Sequence, residues 1–212
     1  MLVITNITSV AISLEILEAP SKNFFGGKEA MGTRARLLQS SAALFAAKGY
    51  HGVSIEELGA NIGLTGPAIY RHFPTKSALL AEMLITASSE LLAGANLVLA
   101  EKRSASETLI ELIGHHTHFA LENPELIRVQ EQDFGSLDET QATQLRRLQR
   151  KYVEVWVAQI LIARKGISTD AARTMAHAIF GMLNSTPRIK SDQKKEMLAK
   201  QIKELAERAL LG

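Results

Sequence analysis

Seven residues within one short stretch carry groups suited to reading a nucleic acid: Thr65, Gly66, Pro67, Tyr70, Arg71, His72 and Lys76. A threonine hydroxyl can bond a base edge or a phosphate, and a guanidinium reaches a phosphate or the edge of a guanine. Tyrosine and histidine donate to phosphate oxygens, and a lysine ammonium clamps them as a point charge. The small residues from Thr65 to Ala68 let a helix end descend to the floor of the major groove. Ser54, which opens the helix before, completes this candidate DNA-binding set.

Local signals place these groups. Thr33 is expected to cap a first helix, in which Leu37, Leu38, Ala42, Leu44 and Phe45 recur at helical spacing until Lys48 and Gly49 end it. Ser54 followed three residues later by Glu57 predicts a capping box, with Ile55, Leu58 and Ile62 facing inward. Gly63 suits a left-handed closing position, Leu64 plugs the core, and Thr65 caps a third helix. Pro74 then breaks the chain, and Thr75 caps a fourth helix whose first turn holds Lys76, where helix amides favour an anion. The turn is about as short as a helix-turn-helix permits. Phe45, Ile55, Leu58, Leu64, Ile69 and Phe73 share one interior and read as core. Tyr70 alone would pass for a packed aromatic and Lys76 alone for a solvated charge; their joint placement beside a capped helix favours DNA.

The stretch LLQSSAALFAAKGYHGVSIEELGANIGLTGPAIYRHFPTKSALL resembles the N-terminal DNA-binding domain of the TetR family of bacterial regulators. Phe45, Gly49, Tyr50, Ser54, Ile55, Leu58, Gly63, Leu64, Tyr70, Phe73, Lys76 and Leu79 match that pattern in order and spacing. The resemblance implies phosphate contacts for Tyr70 and Lys76, and base or backbone readout at Thr65, Gly66, Pro67 and Arg71. Asn61 departs from the pattern, where a small residue is usual, and is expected to face solvent.

Composition bounds the rest. With 212 residues, 46% of them hydrophobic, the chain can bury a sizeable core. Its 24 Lys and Arg against 22 Asp and Glu make it nearly neutral, so binding to a polyanion must come from local placement. Glu56 and Glu57 lower the charge near the motif further, which favours specificity through a paired site. The absence of cysteine excludes disulfides and thiolate chemistry and suits a reducing cytoplasm, the expected location. No uninterrupted apolar run reaches the roughly 18 to 20 residues that span a bilayer, so no membrane partner is expected. Residues 1–30 read as a separate extension or a misassigned start, since Met31 stands two residues before the first helix.

The expected fold class is all-α, with about nine helices. Residues 31–78 form the helix-turn-helix domain, its motif at 54–73, and 79–212 a helical effector-binding and dimerisation domain. Helices are predicted near Ser77–Leu99, Glu107–Glu122, Pro124–Asp133, Asp138–Lys165, Thr169–Leu183 and Ser191–Leu210. Apolar stripes on the last two, Ala172, Met175, Ala176, Ile179, Phe180 and Leu183 on one and Met197, Leu198, Ile202, Leu205, Ala209 and Leu210 on the other, suit a homodimer built as a four-helix interface. They would equally suit a core of their own. Two-fold symmetry is what a short reading helix needs on a palindromic operator in double-stranded DNA.

The resemblance also implies a ligand pocket in the bundle. His116 shares an apolar face with Leu109, Leu112, Ile113 and Ala120 and is the first candidate, followed by Phe119, Phe134, Tyr152, Trp156 and Gln159, which core packing would explain as well. The effector expected is a hydrophobic or amphipathic small molecule, a fatty-acyl or aromatic compound among them. In the run HHTH, His115 and His118 share the polar face with Glu111 and Glu122, but no third metal ligand is fixed, so neither metal nor cofactor is expected. The function expected is a ligand-released transcriptional repressor and not an enzyme. A helical interaction protein that has lost DNA binding and, less favoured, a metal-dependent helical enzyme are the alternatives.

Overall fold

The computed structural model describes residues 32–189 and 194–212. The expectations for residues 1–30, for Met31 and for a last helix starting at Ser191 lie outside them. The described residues are all-α: α1 Thr33–Lys48, α2 Ile55–Ala60, α3 Gly66–Tyr70, α4 Lys76–Ala100, α5 Ala105–Glu122, α6 Pro124–Asp133, α7 Glu139–Ala163, α8 Thr169–Leu183 and α9 Lys195–Leu211. Short 3-10 turns follow α6 at Phe134–Ser136 and α8 at Thr186–Arg188.

Caps explain most of these boundaries. The hydroxyls of Ser54, Thr75 and Ser168 accept from Glu57, Ala78 and Ala171 backbone N–H groups. Full capping boxes form at Ser104 with Glu107 and at Asp138 with Gln141. Two local expectations are corrected. Thr33 is the first helical residue of α1, with Gly32 at the cap and no side-chain bond. The box at Ser54 closes on one side, because the Glu57 carboxylate turns to Lys48 at the end of α1.

Two apolar clusters hold the molecule together. One joins Leu37, Phe45, Leu58, Ile69 and Phe73 of the first three helices and their exits to Leu80 and Met83 of α4, and to Phe119, Ile127 and Val129 of α5 and α6. The other packs α5 and α7 against α8 and α9 around Trp156. By length and composition α4 would suit a bilayer. Leu79, Leu80, Met83, Leu84 and Ala87 are nonetheless buried in the bundle, where α4 touches α1, α5, α6 and α7. Gly94 lets α5 approach α4 closely, since a Cβ there would collide with the His115 ring.

The stripes on α8 and α9 divide between two faces. Ala172, Ala176, Ile179 and Leu183, with Ile202, Ala206 and Leu210, are buried in the chain's own core. Met197 and Leu205 are 56% and 55% exposed, so α9 also carries an outward apolar row. On α8 the exposed positions include the small Thr174, Ala178 and Gly181 and the ring of His177.

Candidate nucleic-acid interface and inner cavity

The turn between α2 and α3 is set by two glycines. Gly63 takes φ 73°, the left-handed region open to glycine. Gly59, which sequence reading missed, accepts at its carbonyl from the N–H groups of Ile62 at 3.0 Å and Leu64 at 2.8 Å. A Cβ at Gly59 would fall on the Leu64 carbonyl oxygen, so its small size lets the chain fold back at once. Thr65 has the backbone conformation of a cap, φ −82° and ψ 157°, and makes no side-chain cap bond, which leaves its hydroxyl for a partner. The short α3 ends at Arg71, and Thr65, Pro67, Tyr70 and Arg71 lie exposed together at this outer edge. Gly66 and His72 are half-buried beside them, and Ser54 is exposed with its hydroxyl bonded to Glu57.

Lys76 is placed differently from the rest. Its ammonium donates to the carbonyls of Tyr50 at 2.8 Å and Val53 at 2.9 Å, and lies 4.2 Å from the centre of the Tyr50 ring. One of its three N–H donors remains. Arg34, also missed from sequence, forks onto Glu82, donates to the His72 carbonyl and stacks 4.2 Å over the Phe73 ring. It ties α1 and α4 to the exit of α3. Asn61 is exposed as expected and donates to Ser40 Oγ at 2.7 Å.

Three hydrogen bonds add to the apolar packing of this head on the bundle. The Tyr50 backbone N–H donates to Asp133 Oδ1 at 3.0 Å, His51 Nε2 meets Ser136 Oγ at 3.2 Å, and Ser77 Oγ donates to Gln141 Oε1 at 2.8 Å. Asp133 is the last residue of α6 and is buried. Ile127 and Gln130, earlier on α6, line an inner cavity of about 250 Å³ bounded also by α4, α5, α7 and α8.

Residues 37–83, which hold most of the head and the start of α4, match the family model described as bacterial regulatory proteins, tetR family. Residues 102–188 match the tetracyclin repressor-like C-terminal domain. The chain belongs to the tetR family. It is 28% identical over 102 residues to the nucleoid occlusion factor SlmA of Photorhabdus laumondii, covering 48% of each chain. It thus spans about half the length of the curated relatives it matches. The fold is shared with the TetR family regulator PfmR of Thermus thermophilus, at TM-score 0.72 and 24% identity over 82% of this chain and 97% of that one. It is shared too with AibR, solved with isovaleryl coenzyme A and operator DNA, at TM-score 0.70 and 16% identity over 81% and 96%.

In this tetR-family chain the cavity is lined by three of the six residues expected: His116, Phe119 and Tyr152. Trp156 is fully buried behind it, its ring edge-on to Phe180 at 5.0 Å. Phe134 packs on the first apolar cluster under Arg146, and Gln159 is half-buried away from the cavity wall. Phe180 and Asn184, absent from the expected set, take their places. Phe180 stacks on His116 at 5.3 Å and on Tyr152 at 5.5 Å.

His116 meets Tyr152 Oη at 3.1 Å through Nδ1 and Asn184 Oδ1 at 2.9 Å through Nε2. An amide oxygen only accepts, so Nε2 carries the proton and Nδ1 accepts from the Tyr152 hydroxyl. Burial holds the imidazole neutral, lowering its pKa to about 4, and burial raises that of Tyr152. The rest of the HHTH run disperses. His115, expected on the polar face, is half-buried against α4 with Nε2 at 3.2 Å from the Leu91 carbonyl, and burial lowers its pKa. His118 is exposed, and Glu122 pairs with Lys195. A second hollow, of about 560 Å³, lies on the outer face of α8 between Asp170, Thr174 and Ala178.

Proposed function

We propose that this chain is a sequence-specific DNA-binding transcriptional regulator, a repressor released from its operator by a small molecule. The observation that carries the reading is the exposed group of Thr65, Pro67, Tyr70 and Arg71 at the end of a helix held by Gly59 and Gly63 on a tetR-family head. Thr65 and Arg71 read base edges, and Gly66 and Pro67 keep the helix end slim enough to enter the major groove. Tyr70, His72, Ser54 and the remaining N–H of Lys76 hold phosphates. The site is in the cytoplasm, where a bacterial operator is found.

The regulator works as a homodimer. The outward Met197 and Leu205 of α9 and the outward face of α8 with its hollow pack on their symmetry mates, which sets two heads about one helical turn apart on a palindromic site. The effector occupies the inner cavity. Since α6 borders that cavity and ends on Asp133 against Tyr50, a ligand that shifts α6 moves the head with it. The coupling is reciprocal, so operator weakens ligand binding by the factor by which ligand weakens operator binding.

Selection of bound duplexes from a random pool tests the reading. The wild type should enrich a palindrome and a Tyr70→Ala, Arg71→Ala double variant should not, while both melt alike. Enrichment of no sequence by the wild type would overturn it.

A further inference from the structure

We propose that the inner cavity takes a compact, uncharged molecule with a flat apolar body and an oxygen acceptor, and that it rejects carboxylates, phosphates and coenzyme A thioesters; this rests on the ligand-responsive reading above. Its volume of about 250 Å³ lies just under the roughly 300–1,000 Å³ of sites for drug-sized ligands. None of the residues lining it is Asp, Glu, Lys or Arg, and of its two histidines His177 is exposed on α8 and His116 lies inside. The one buried titratable base, His116, is neutral and both its nitrogens are bonded within the protein. An anion seated against His116 would forfeit its hydration and meet no lysine or arginine to pair with.

The direction of the hydrogen bonds selects further. Protons run from Tyr152 to His116 and from His116 to the Asn184 oxygen, so the Asn184 amide has its NH₂ group to offer. Ser88, Gln130 and Gln149 add hydroxyl and amide groups to the same lining. A saturated acyl chain would bury these against hydrocarbon with nothing to bond. A ketone, amide or lactone on an aromatic body would accept from Asn184 and lie along the Phe180 and Phe119 rings that line the same cavity.

The test is the melting midpoint of the full chain without DNA, against acetophenone, benzamide and coumarin as neutral acceptors, benzoate as an anion of like size, and isovaleryl coenzyme A. At about 100-fold excess over Kd, the best neutral probe should raise the midpoint by about 5–10 °C, and benzoate and the thioester should leave it unmoved. Asn184→Asp keeps an acceptor for His116 and removes the donor, so it should weaken that probe at least tenfold. Val153→Phe, which narrows the cavity from a partly exposed wall, should abolish the shift. Stabilisation by benzoate or the thioester, no shift with any neutral probe, or a shift that survives both substitutions would each overturn the proposal. Thioester binding would leave the regulator reading standing, because that reading fails only in the duplex selection.

Discussion

Replacing Lys76 by methionine keeps the aliphatic stem and removes the ammonium that bridges the Tyr50 and Val53 carbonyls and faces the Tyr50 ring. A buried hydrogen bond to a charged group is worth about 1.5–3 kcal/mol, and a cation over an exposed ring about 0.5–1 kcal/mol. Lys76 is only half-buried, so water can reach both carbonyls once the ammonium is gone. The low end applies, and the loss should be about 2 kcal/mol, with the two bonds discounted for that rehydration. For a chain of this length that lowers the melting midpoint by about 4–8 °C. Calorimetry of the unliganded protein measures it directly. Operator titrations well below the midpoint, at several salt concentrations, then isolate the phosphate contact, whose loss reduces the salt slope by about 0.9 per subunit. A wild-type midpoint would refute the clamp, and an unchanged slope would refute the phosphate contact.

Three further outcomes are expected. Gly59→Ala drives a methyl group into the Leu64 carbonyl, so despite the better helix propensity it should cost about 1–3 kcal/mol by denaturant titration and weaken operator binding with it. Gly94→Ala presses on the His115 ring and should lower stability by a similar amount, roughly 1–3 kcal/mol, unless His115→Ala is made with it, which a double-mutant cycle resolves. His116 has its folded pKa depressed to about 4 from the ordinary 6.5, so the unfolded chain takes its proton first as pH falls. Its stabilising share is intact above about pH 6.5 and is lost down to about pH 4, roughly 3 kcal/mol in all, and His116→Gln should flatten that part of the pH profile in melting experiments.

Local chemistry was legible in the sequence where one or two neighbouring residues decide it. The start of α6 follows from Pro124 and that of α8 from Ser168, and Gly63 takes the left-handed turn expected of it. Long-range pairing was not legible: Arg34 finds Glu82 across 48 residues, and the Tyr50 amide finds Asp133 across 83. The helical period gave the inward face of α5, hence His116 and Phe119. Whether an inward residue fills a core or borders a space depends on the helix opposite, which is why Trp156 is packed solid and Phe180 lines the cavity. The period also put Phe180 in a dimer stripe, although α8 has two working faces.

Asp133 gives the head a fixed address on its own bundle. Regulators of this architecture invite exchange of heads between bodies by cutting within α4, where the sequence changes from motif to bundle. In this chain such a graft would separate the Tyr50 amide from the carboxylate made to receive it, and would set a foreign turn against the buried end of α6. A working hybrid therefore has to carry the α6 terminus and the Phe134–Ser136 turn along with the head, and the unit that can be transplanted is discontinuous in the chain.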